Sequence, residues 1–441
     1  MKKDKEYVLS QLENGNDIKF VNLLFPDILG ELRGFTIPSE EVETTLSVGK
    51  GFDGSSIEGL VRIEESDLVA KPEPETFKIF PWRYENNGIK YRVGLMFCDI
   101  LNSDGSHNDG DTRYVLKRTL KKAKKMGFDD FKVGPELEFF YMKSPEDPEP
   151  LDDGGYFSMG AGDMYSSMKE KTMLNLKRMG IESEFSHHEV APSQHEIDLR
   201  YKNALEMADI TMLSKFIVKE TARREGIYAT FMPKPINGVN GSGMHVHQSL
   251  WKGGKNLFFD GDDDYNLSET AKKYMSGLFH NINSMTSILN QWTNSYKRLV
   301  PGYEAPVYHV WGQRNRSALI RVPEYQPGKE RARRIELRSP DPACNPYLAF
   351  SVMLAAGLDG IENDYELPEP YERNVYKNTE NLKTLPKSLE EAINLTKESE
   401  LVRETLGDHI FKKFIENKEK EIELQRRTVT DFDIKYYLKK L

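Results

Sequence analysis

The sequence predicts an α+β fold, in which strands and helices occupy partly separate stretches of the chain. Four short stretches between residues 132 and 338 alternate apolar and polar residues with the period of two that is typical of strands. Amphipathic patterns of helical period lie beside them, for example over residues 113–126 and 203–225. After Asn345 the patterns are mostly helical.

The N-terminal region is predicted to contain one helix and several strands. We expect the helix over residues 1–15 and strands over 18–25, 32–37 and 90–99. Residues 44–64 are rich in Gly and Ser and are interpreted as a loop. The turn-rich stretch 102–111 is the candidate domain boundary, which divides the chain into residues 1–105 and 106–441.

The larger C-terminal region is predicted to mix strands with helices up to about residue 338. Helices are expected over residues 113–126, 165–179, 203–225, 348–361, 388–397 and 409–426. Residues 253–266 read as a polar, flexible link, and residues 299–304 as a Pro-Gly turn that carries an acid. No internal repeat is found in the sequence.

Composition limits the classes of function. A chain of 441 residues with 38% hydrophobic content can form two or three domains with real cores. The net charge of −9 argues against a nucleic-acid partner. Two cysteines, Cys98 and Cys344, cannot build a disulfide framework or a zinc ribbon, which fits a reducing cytosol. The longest apolar run, residues 348–358, is too short to span a bilayer, and we see no signal peptide. We therefore expect a cytoplasmic protein.

The alternating stretches place polar side chains on common faces. The sets that share a face are Glu136 with Glu138, Glu196 with Asp198 and Arg200, His245 with His247 and Ser249, and Arg334 with Glu336 and Arg338. Carboxylates and imidazoles on such strands suit a pair of hard divalent cations and a polyanionic substrate.

Several other sites are excluded by their motifs. The chain has no P-loop, no Gly-x-Gly-x-x-Gly after a strand and no His-Glu-x-x-His helix around His187 and His188. The acidic run that begins at Asp260 has the first spacings of a calcium loop. It has Tyr265 where the loop needs Gly and Ala271 where it needs Glu, so it is interpreted as a solvated acidic loop.

Five motifs together resemble type I glutamine synthetase. They are Asp53-Gly-Ser-Ser-Ile-Glu, Glu136-Leu-Glu138, His188-Glu189-Val-Ala-Pro-Ser-Gln-His-Glu196, Lys234-Pro-Ile-Asn-Gly-Val-Asn240-Gly241-Ser-Gly-Met-His245-Val-His and Arg333-Arg-Ile-Glu336-Leu-Arg338. They occur in the family's order and cover most of the chain. The resemblance implies an N-terminal β-grasp domain and a large catalytic domain whose antiparallel sheet lines a two-metal site. It also implies a homo-dodecamer of two stacked hexameric rings, with active sites between neighbouring subunits.

The resemblance implies an ATP-dependent ligase that makes glutamine for nitrogen assimilation. The glutamate side chain attacks the γ-phosphate of ATP, and ammonia then displaces phosphate from γ-glutamyl phosphate. This chemistry needs charge neutralisation more than covalent help from the protein. The implied cofactors are two Mg²⁺ or Mn²⁺ ions in each active site, with L-glutamate, ammonium and ATP as substrates.

Each site residue takes its role from the resemblance. One metal is held by Glu138, Glu189 and Glu196, and the other by Glu136, His245 and Glu336. Glutamate is bound by Asn240, Gly241, Arg298, Glu304 and Arg338. ATP meets Glu184, His247, Ser249, Arg316 and Arg321, and Arg316 is also expected to be catalytic. Asp53 accepts a proton from ammonium in the neighbour's site, and Glu304 shields the acyl phosphate from water.

The sequence also bears on regulation and on assembly, and it differs from the family at a few positions. Arg62 matches the branch that responds to glutamine feedback, and a surface ion pair with Glu64 or Glu65 is the alternative. Tyr376 lacks the context of an adenylylated tyrosine, so no adenylylation is expected. The family usually has Gly where this chain has Ser193. The C-terminal residues 432–441 are either a docking segment between rings or a terminal helix, and we favour docking.

Three competing functions remain open. A relative could use another amine, as in γ-glutamylation of polyamines, but Asp53 and Glu304 favour ammonium because a bulky amine needs that corner opened. A ring-forming structural protein without catalysis should lack metal ligands, and all six are present. A phosphagen kinase would not need the Asp53 loop of a neighbour.

Overall fold

A computed structural model shows two sheets flanked by helices. It describes residues 3–13, 17–57, 59, 67–160, 163, 165–313, 315–373, 375 and 382–441. Arg62 and Tyr376 lie outside the described residues, so the expectations about them stay predictions. Among the helices of the described ranges, none is both long enough and apolar enough to cross a membrane.

The N-terminal region is built around a seven-stranded mixed sheet. Its elements are α1 (Lys5–Glu13), β1 (Ile18–Pro26), β2 (Leu32–Pro38), α2 (Val42–Val48), β3 (Lys50–Asp53), β4 (Asp67–Pro72), β5 (Lys78–Ile79), β6 (Tyr84–Asn86) and β7 (Ile89–Asn102). The sheet order is β2-β1-β7-β4-β3, with β1 parallel to β7, and β5 and β6 also pair with β7. The strands predicted over residues 18–25, 32–37 and 90–99 are confirmed.

The prediction of a loop over residues 44–64 is wrong in its first half. The helix α2 buries Thr45 and Leu46 and ends at Gly49, whose φ of 83° is favourable for glycine. The strand β3 then pairs with β4. The Gly and Ser content of this stretch is typical of a loop. Burial of one face of α2 and pairing of β3 with β4 depend on residues that are distant in sequence, and they override this local preference.

The C-terminal region contains a ten-stranded sheet and most of the helices. Its elements are α3 (Thr112–Lys125), β8 (Asp130–Met142), α4 (Ser166–Arg178), β9 (Ser183–His188), β10 (Gln194–Leu199), β11 (Lys202–Asn203), α5 (Ala204–Arg224), β12 (Tyr228–Thr230), β13 (Val246–Lys252), β14 (Lys255–Asn256), α6 (Glu269–Leu289), α7 (Ser295–Arg298), β15 (Trp311–Gly312), β16 (Ile320–Arg321), β17 (Ile335–Leu337), α8 (Pro346–Asn363), α9 (Leu389–Lys397), α10 (Glu400–Leu406), α11 (Asp408–Arg427) and α12 (Asp431–Tyr437). The main path of the sheet is β15-β16-β17-β13-β8-β10-β9. The six helices predicted from the sequence are confirmed as α3, α4, α5, α8, α9 and α11.

The predicted flexible link over residues 253–266 is instead an ordered hairpin and turn. The short strand β14 pairs with β13. Asp263 accepts hydrogen bonds from the backbone N–H groups of Tyr265 and Leu267, and from Lys272. Side-chain to backbone hydrogen bonds of this kind replace regular structure in turns. The predicted domain boundary after residue 105 falls in the turn between β7 and α3 and stays a prediction.

The helices α6 and α8 cross at unusually short range beneath the sheet. A Cβ placed on Gly277 would lie 2.0 Å from the carbonyl oxygen of Ala356, and one on Gly360 would lie 2.2 Å from that of Lys273. Glycine at both positions is therefore what allows the two backbones to touch, as small residues do at close helix crossings. The main apolar core includes buried side chains of both helices.

A buried arginine joins the N-terminal sheet to the helices of the C-terminal region. Arg113, on α3, has a side chain that is 1% exposed. It contacts Glu73 at 2.6 Å, Asp99 of β7 at 2.8 Å and Asp209 of α5 at 3.0 Å. The guanidinium of Arg113 thus neutralises three carboxylates. Lys117 is a second cation for Glu73 and Asp99. Removing one partner of a buried ion pair leaves uncompensated charge.

We expect the substitution Arg113→Met to lower the free energy of unfolding by about 3–5 kcal/mol, because buried carboxylates lose their cation. The midpoint of urea denaturation measures the change. Arg223→Met is the matched control, since Arg223 is 70% exposed and pairs with Glu220 at the surface. Equal midpoints for the two variants would contradict this role for Arg113.

Candidate active site

An open cleft of about 820 Å³ lies on the face of the ten-stranded sheet. Its lining includes the predicted site residues Glu136, Glu138, Glu189, Glu196, Asn240, Gly241, His245, Arg298, Glu304, Arg316, Arg321 and Arg338. Most of these side chains come from β8, β10 and the segments that flank β13 and β17. The cleft therefore brings together groups that are spread along the chain from residue 136 to residue 338.

The register of the strands puts acids directly opposite one another. Glu138 of β8 pairs with Glu196 of β10, and Glu136 pairs with Asp198. On the other side of the sheet path, His247 of β13 pairs with Glu336 of β17. Like charges directly opposite in a sheet are destabilising. The strands therefore concentrate negative charge that must be balanced by cations.

The first acidic cluster contains Glu136, His245 and Glu336, whose ligand atoms all lie within 4.8 Å of one another. His245 Nδ1 is 2.8 Å from Glu136 and 3.7 Å from Glu336. Glu336 is fully buried and accepts hydrogen bonds from Arg321 and Arg338. His247 also contacts Glu136, at 2.7 Å. Two carboxylates and one imidazole form a donor set that a divalent cation such as Mg²⁺ or Mn²⁺ accepts.

The second acidic cluster lies around Glu189 and Glu196. These two carboxylates and His187 lie within 4.8 Å of one another, and Glu138 lines the same cleft. Glu189 follows the end of β9, where its carboxylate contacts His187 at 2.7 Å. One oxygen of Glu138 accepts hydrogen bonds from Gln194 and from the N–H of Gly243. His187 is a neighbour that the sequence analysis did not assign to this cluster.

Burial and mutual repulsion shift the pKa values of these acids. Burial, followed by the charge of Glu189, raises the pKa of Glu138 to about 8. Burial and Glu136 raise the pKa of Glu196 well above its ordinary value. Glu136 differs, because His247 and His245 outweigh its burial and hold its pKa well below the usual range. An acid with a raised pKa ionises more readily when a cation lies beside it. The raised pKa values of Glu138 and Glu196 therefore fit a site for a divalent metal.

A third cluster does not fit a metal. Asp152, His188 and His195 are all buried and lie close together. His195 Nδ1 lies 3.2 Å from the ammonium of Lys169, which can only donate, so the ring proton is on Nε2. His188 faces the carbonyl of Glu189 and the carboxylate of Asp152, both acceptors, so both of its nitrogens carry protons. Neither imidazole has a free lone pair for a metal.

This third cluster instead supports the turn between β9 and β10. Ser193 adopts φ of 57°, a left-handed backbone that favours glycine. Its hydroxyl accepts hydrogen bonds from the N–H groups of Leu151 and Asp152. The serine thus anchors the segment that leads to Tyr156 against the turn that carries Glu189.

The predicted glutamate-binding residues surround the acidic clusters. Arg298 is 3% exposed and donates to the carbonyl of Ser339 at 2.7 Å. Arg338 is 7% exposed and donates to Glu336. Asn240 and Gly241 also line the cleft, where Gly241 lies next to Arg298 and Asn240 donates to Glu304 at 2.9 Å. Glu304 itself has φ of 57°, an uncommon backbone for a side chain of this size.

The predicted ATP residues divide into two groups. Arg316 and Arg321 line the cleft, and Arg316 donates to the hydroxyl of Tyr156 at 3.3 Å. His247 and Ser249 lie next to the cleft on β13, where Ser249 accepts a hydrogen bond from Trp251. Glu184 is exposed on β9 near Arg200, at 3.8 Å, so it does not join the cleft.

Several residues next to this region were not assigned from the sequence. Arg334 donates to His247 at 3.0 Å. Lys132 lies 3.9 Å from the ring centroid of Trp251 and 5.7 Å from that of Tyr201. The period of two placed Arg334 on the face of Glu336, but no role in the site was predicted for it. No periodic signal marks Tyr156 or Tyr201, which lie in loops.

Asp53 does not reach the cleft of its own chain. It ends β3, is exposed, and accepts a hydrogen bond from the N–H of Ser55 at 2.9 Å. All described residues that line the cleft lie between positions 136 and 373, so none comes from the N-terminal sheet. Hydrogen bonds from Ser55 lower the pKa of Asp53, which keeps the carboxyl ionised at neutral pH.

Comparison with known proteins gives consistent matches over the whole chain. The family model of the glutamine synthetase β-grasp domain matches residues 17–103, and that of the glutamine synthetase catalytic domain matches residues 109–437. The glutamine synthetase of Mycolicibacterium smegmatis is 48% identical over 99% of this chain and 100% of its own length. That of Methanosarcina mazei is 45% identical over 99% of this chain and 98% of its own.

Solved structures agree with these matches. A GmaS in complex with ADP superposes with a TM-score of 0.88 at 30% identity, covering 98% of this chain and 99% of that one. The glutamine synthetase of Plasmodium falciparum superposes with a TM-score of 0.87 at 26% identity, covering 98% of each chain. Both domain matches and the identity of full-length relatives show that the chain belongs to the glutamine synthetase family, the ligases that join ammonia to glutamate with ATP.

Proposed function

We propose that this chain makes glutamine from L-glutamate, ammonium and ATP through γ-glutamyl phosphate, in the assimilation of nitrogen. The observation that supports this most is the combination of two acidic clusters with Arg298, Arg316, Arg321 and Arg338 around one cleft. Phosphoryl transfer between two anions requires positive charge at the reacting oxygens. The cleft has separate groups for cations and for anionic substrates.

The acidic clusters are suited to two divalent cations, Mg²⁺ or Mn²⁺. Glu136, His245 and Glu336 would hold one, and Glu138, Glu189 and Glu196 the other. When bound, such ions neutralise the phosphate oxygens and orient the γ-phosphate for in-line attack. His187 lies close enough to Glu189 to orient that carboxylate.

The arginines would bind the two anionic substrates. Arg298 and Arg338, both buried, would hold the glutamate carboxylates, while Asn240 and Gly241 meet the amino-acid end. The γ-carboxylate oxygen attacks the γ-phosphorus, and the bond to the ADP oxygen breaks. Arg316 and Arg321 would stabilise the charge on the transferred phosphoryl group. His247 and Ser249 would contact the nucleotide from beside the cleft, and Glu184 from outside its lining.

The second step would use acids that face the ammonium ion. Asp53 of a neighbouring subunit would accept a proton from ammonium, so that the nitrogen lone pair attacks the γ-carbonyl carbon and phosphate leaves. Glu304 would close the rim and exclude water from the acyl phosphate. The exposed position of Asp53, away from its own cleft, supports action in a neighbour.

A homo-dodecamer of two stacked six-membered rings would create such shared sites. The exposed apolar side chains of Phe432, Ile434 and Leu438 on and after α12 support the docking of this segment between rings. The buried, free thiols of Cys98 and Cys344 are compatible with the proposed cytoplasmic location. Feedback by glutamine at Arg62 is proposed from the sequence alone.

Phosphate release and product analysis with different amines test the function. With glutamate, ATP and either Mg²⁺ or Mn²⁺, we expect ammonium to support glutamine formation, and ethanolamine and putrescine to support little, because Asp53 and Glu304 confine the amine site. Methylamine is a necessary fourth amine, because it is the smallest alkylamine and therefore tests how closely the amine site is confined. Faster turnover with an alkylamine than with ammonium would favour the second candidate, a γ-glutamylamide ligase.

The metal assignment predicts a change in cation affinity. Glu336→Gln removes one ligand, so the Mn²⁺ concentration for half-maximal binding should rise at least about tenfold, as measured by calorimetry. Glu366→Gln is the matched control, because Glu366 is exposed and lies outside the cleft. An unchanged Mn²⁺ isotherm for Glu336→Gln would remove this residue from the metal site.

Mixed oligomers test the shared site. Chains with Asp53→Ala and chains with Glu336→Gln should each be nearly inactive, but co-assembly gives some sites with both native acids. Random mixing in a head-to-tail ring should restore about one quarter of the parent activity. Mixing two different Asp53 variants is the control and should restore none. If Asp53 serves its own chain, the first mixture stays inactive.

A further inference from the structure

A lysine beside the cleft connects the two segments that form its rim. Lys234 precedes the loop that carries Asn240 and Gly241, and its side chain is largely buried. Its backbone N–H donates to the side chain of Asn294 at 2.8 Å, and its carbonyl accepts from the same side chain at 3.0 Å. Asn294 caps α7, the helix that ends at Arg298. The backbone of Lys234 is thus fixed to a rigid part of the site.

The side chain of Lys234 makes two contacts from this fixed base. Its ammonium donates to the carbonyl of Val239, the residue before Asn240. It also lies 4.0 Å from the ring centroid of Tyr303, the residue before Glu304. A desolvated ammonium over an aromatic face forms a favourable cation–π contact. One cation therefore binds the residues that precede both partners of the Asn240–Glu304 hydrogen bond.

The turn over residues 301–304 is mostly exposed and has a partly left-handed backbone. Gly302 has φ of 94° and Glu304 has φ of 57°. Both residues thus have a left-handed backbone, and Tyr303 lies between them. Pro301, Gly302 and Glu304 are exposed, whereas Tyr303 is half-buried. A surface turn of this kind takes its position from the few side chains that anchor it.

We propose that Lys234 is a positioning residue that, through Tyr303, holds the turn carrying Glu304 against the loop carrying Asn240. Lys234 does not line the cleft, and its ammonium is directed at the Val239 carbonyl and the Tyr303 ring. Its effect would pass through the position of Glu304. The inference rests on the proposed role of Glu304 in shielding the acyl phosphate from water.

The test measures phosphate released per glutamine formed, at saturating glutamate, ATP and ammonium, in the assembled enzyme. Lys234→Met and Tyr303→Leu should each raise this ratio about two- to fivefold, the effect expected from losing one cation–π contact. Lys234→Arg and Tyr303→Phe retain a cation and a ring and should stay near the parent ratio. The double variant K234M/Y303L should equal the worse single variant, because both remove the same contact.

The outcomes separate this inference from the proposed function. A parent enzyme that forms no glutamine from ammonium would overturn the function. A parent that forms glutamine, with an unchanged ratio in Tyr303→Leu, would overturn the role of the contact. If the increase of the ratio in the double variant equals the product of the two single increases, the two residues act independently, and the role of the contact is overturned as well. If Lys234→Met does not assemble, the comparison of Tyr303→Leu with Tyr303→Phe still tests the ring contact, because only Tyr303→Leu removes the ring.

Discussion

The facing carboxylates of β8 and β10 are the constraint around which the cleft is organised. Glu138 opposite Glu196 and Glu136 opposite Asp198 place acidic residues directly across from one another on neighbouring strands. Burial makes the repulsion worse, since water cannot screen it. Such a sheet is stable only if cations or protons compensate, and both kinds of compensation are present in the buried arginines and the raised pKa values of Glu138 and Glu196.

A rigid frame is needed to hold that charge in place. The contact of α6 with α8 at Gly277 and Gly360 gives the sheet a dense support, because two backbones in direct contact have little freedom to shift. Arg113 pairs with Asp99 of the N-terminal sheet and with Asp209 of α5, and so fixes that sheet to the helices of the C-terminal region. Neither device lines the cleft, yet both help to set the relative positions of the strand that ends at Asp53 and the strands that carry the acids.

The sequence predicted the regular elements and the shared faces of the acids, because both depend on local period, whereas the two sets of metal ligands were implied by the family resemblance. Alternation placed Glu136 and Glu138 on one face, and the structure has both in the cleft. Arg200, assigned to the face of Glu196 by the same rule, is exposed next to Glu182, because β10 ends one residue earlier. Contacts between distant segments had no such signal. The partnership of Lys234 with Tyr303, and that of Arg316 with Tyr156, depends on how loops meet after folding.

The left-handed backbone at Glu304 and Ser193 has a consequence for protein engineering. Glycine or asparagine would adopt these φ values at lower conformational cost, so a stability-guided redesign would favour them at both positions. At position 193 such a change would lose two hydrogen bonds, and at position 304 it would delete the acid at the rim. At position 304 stability and chemistry are therefore in competition, whereas at position 193 a backbone cost is set against two hydrogen bonds.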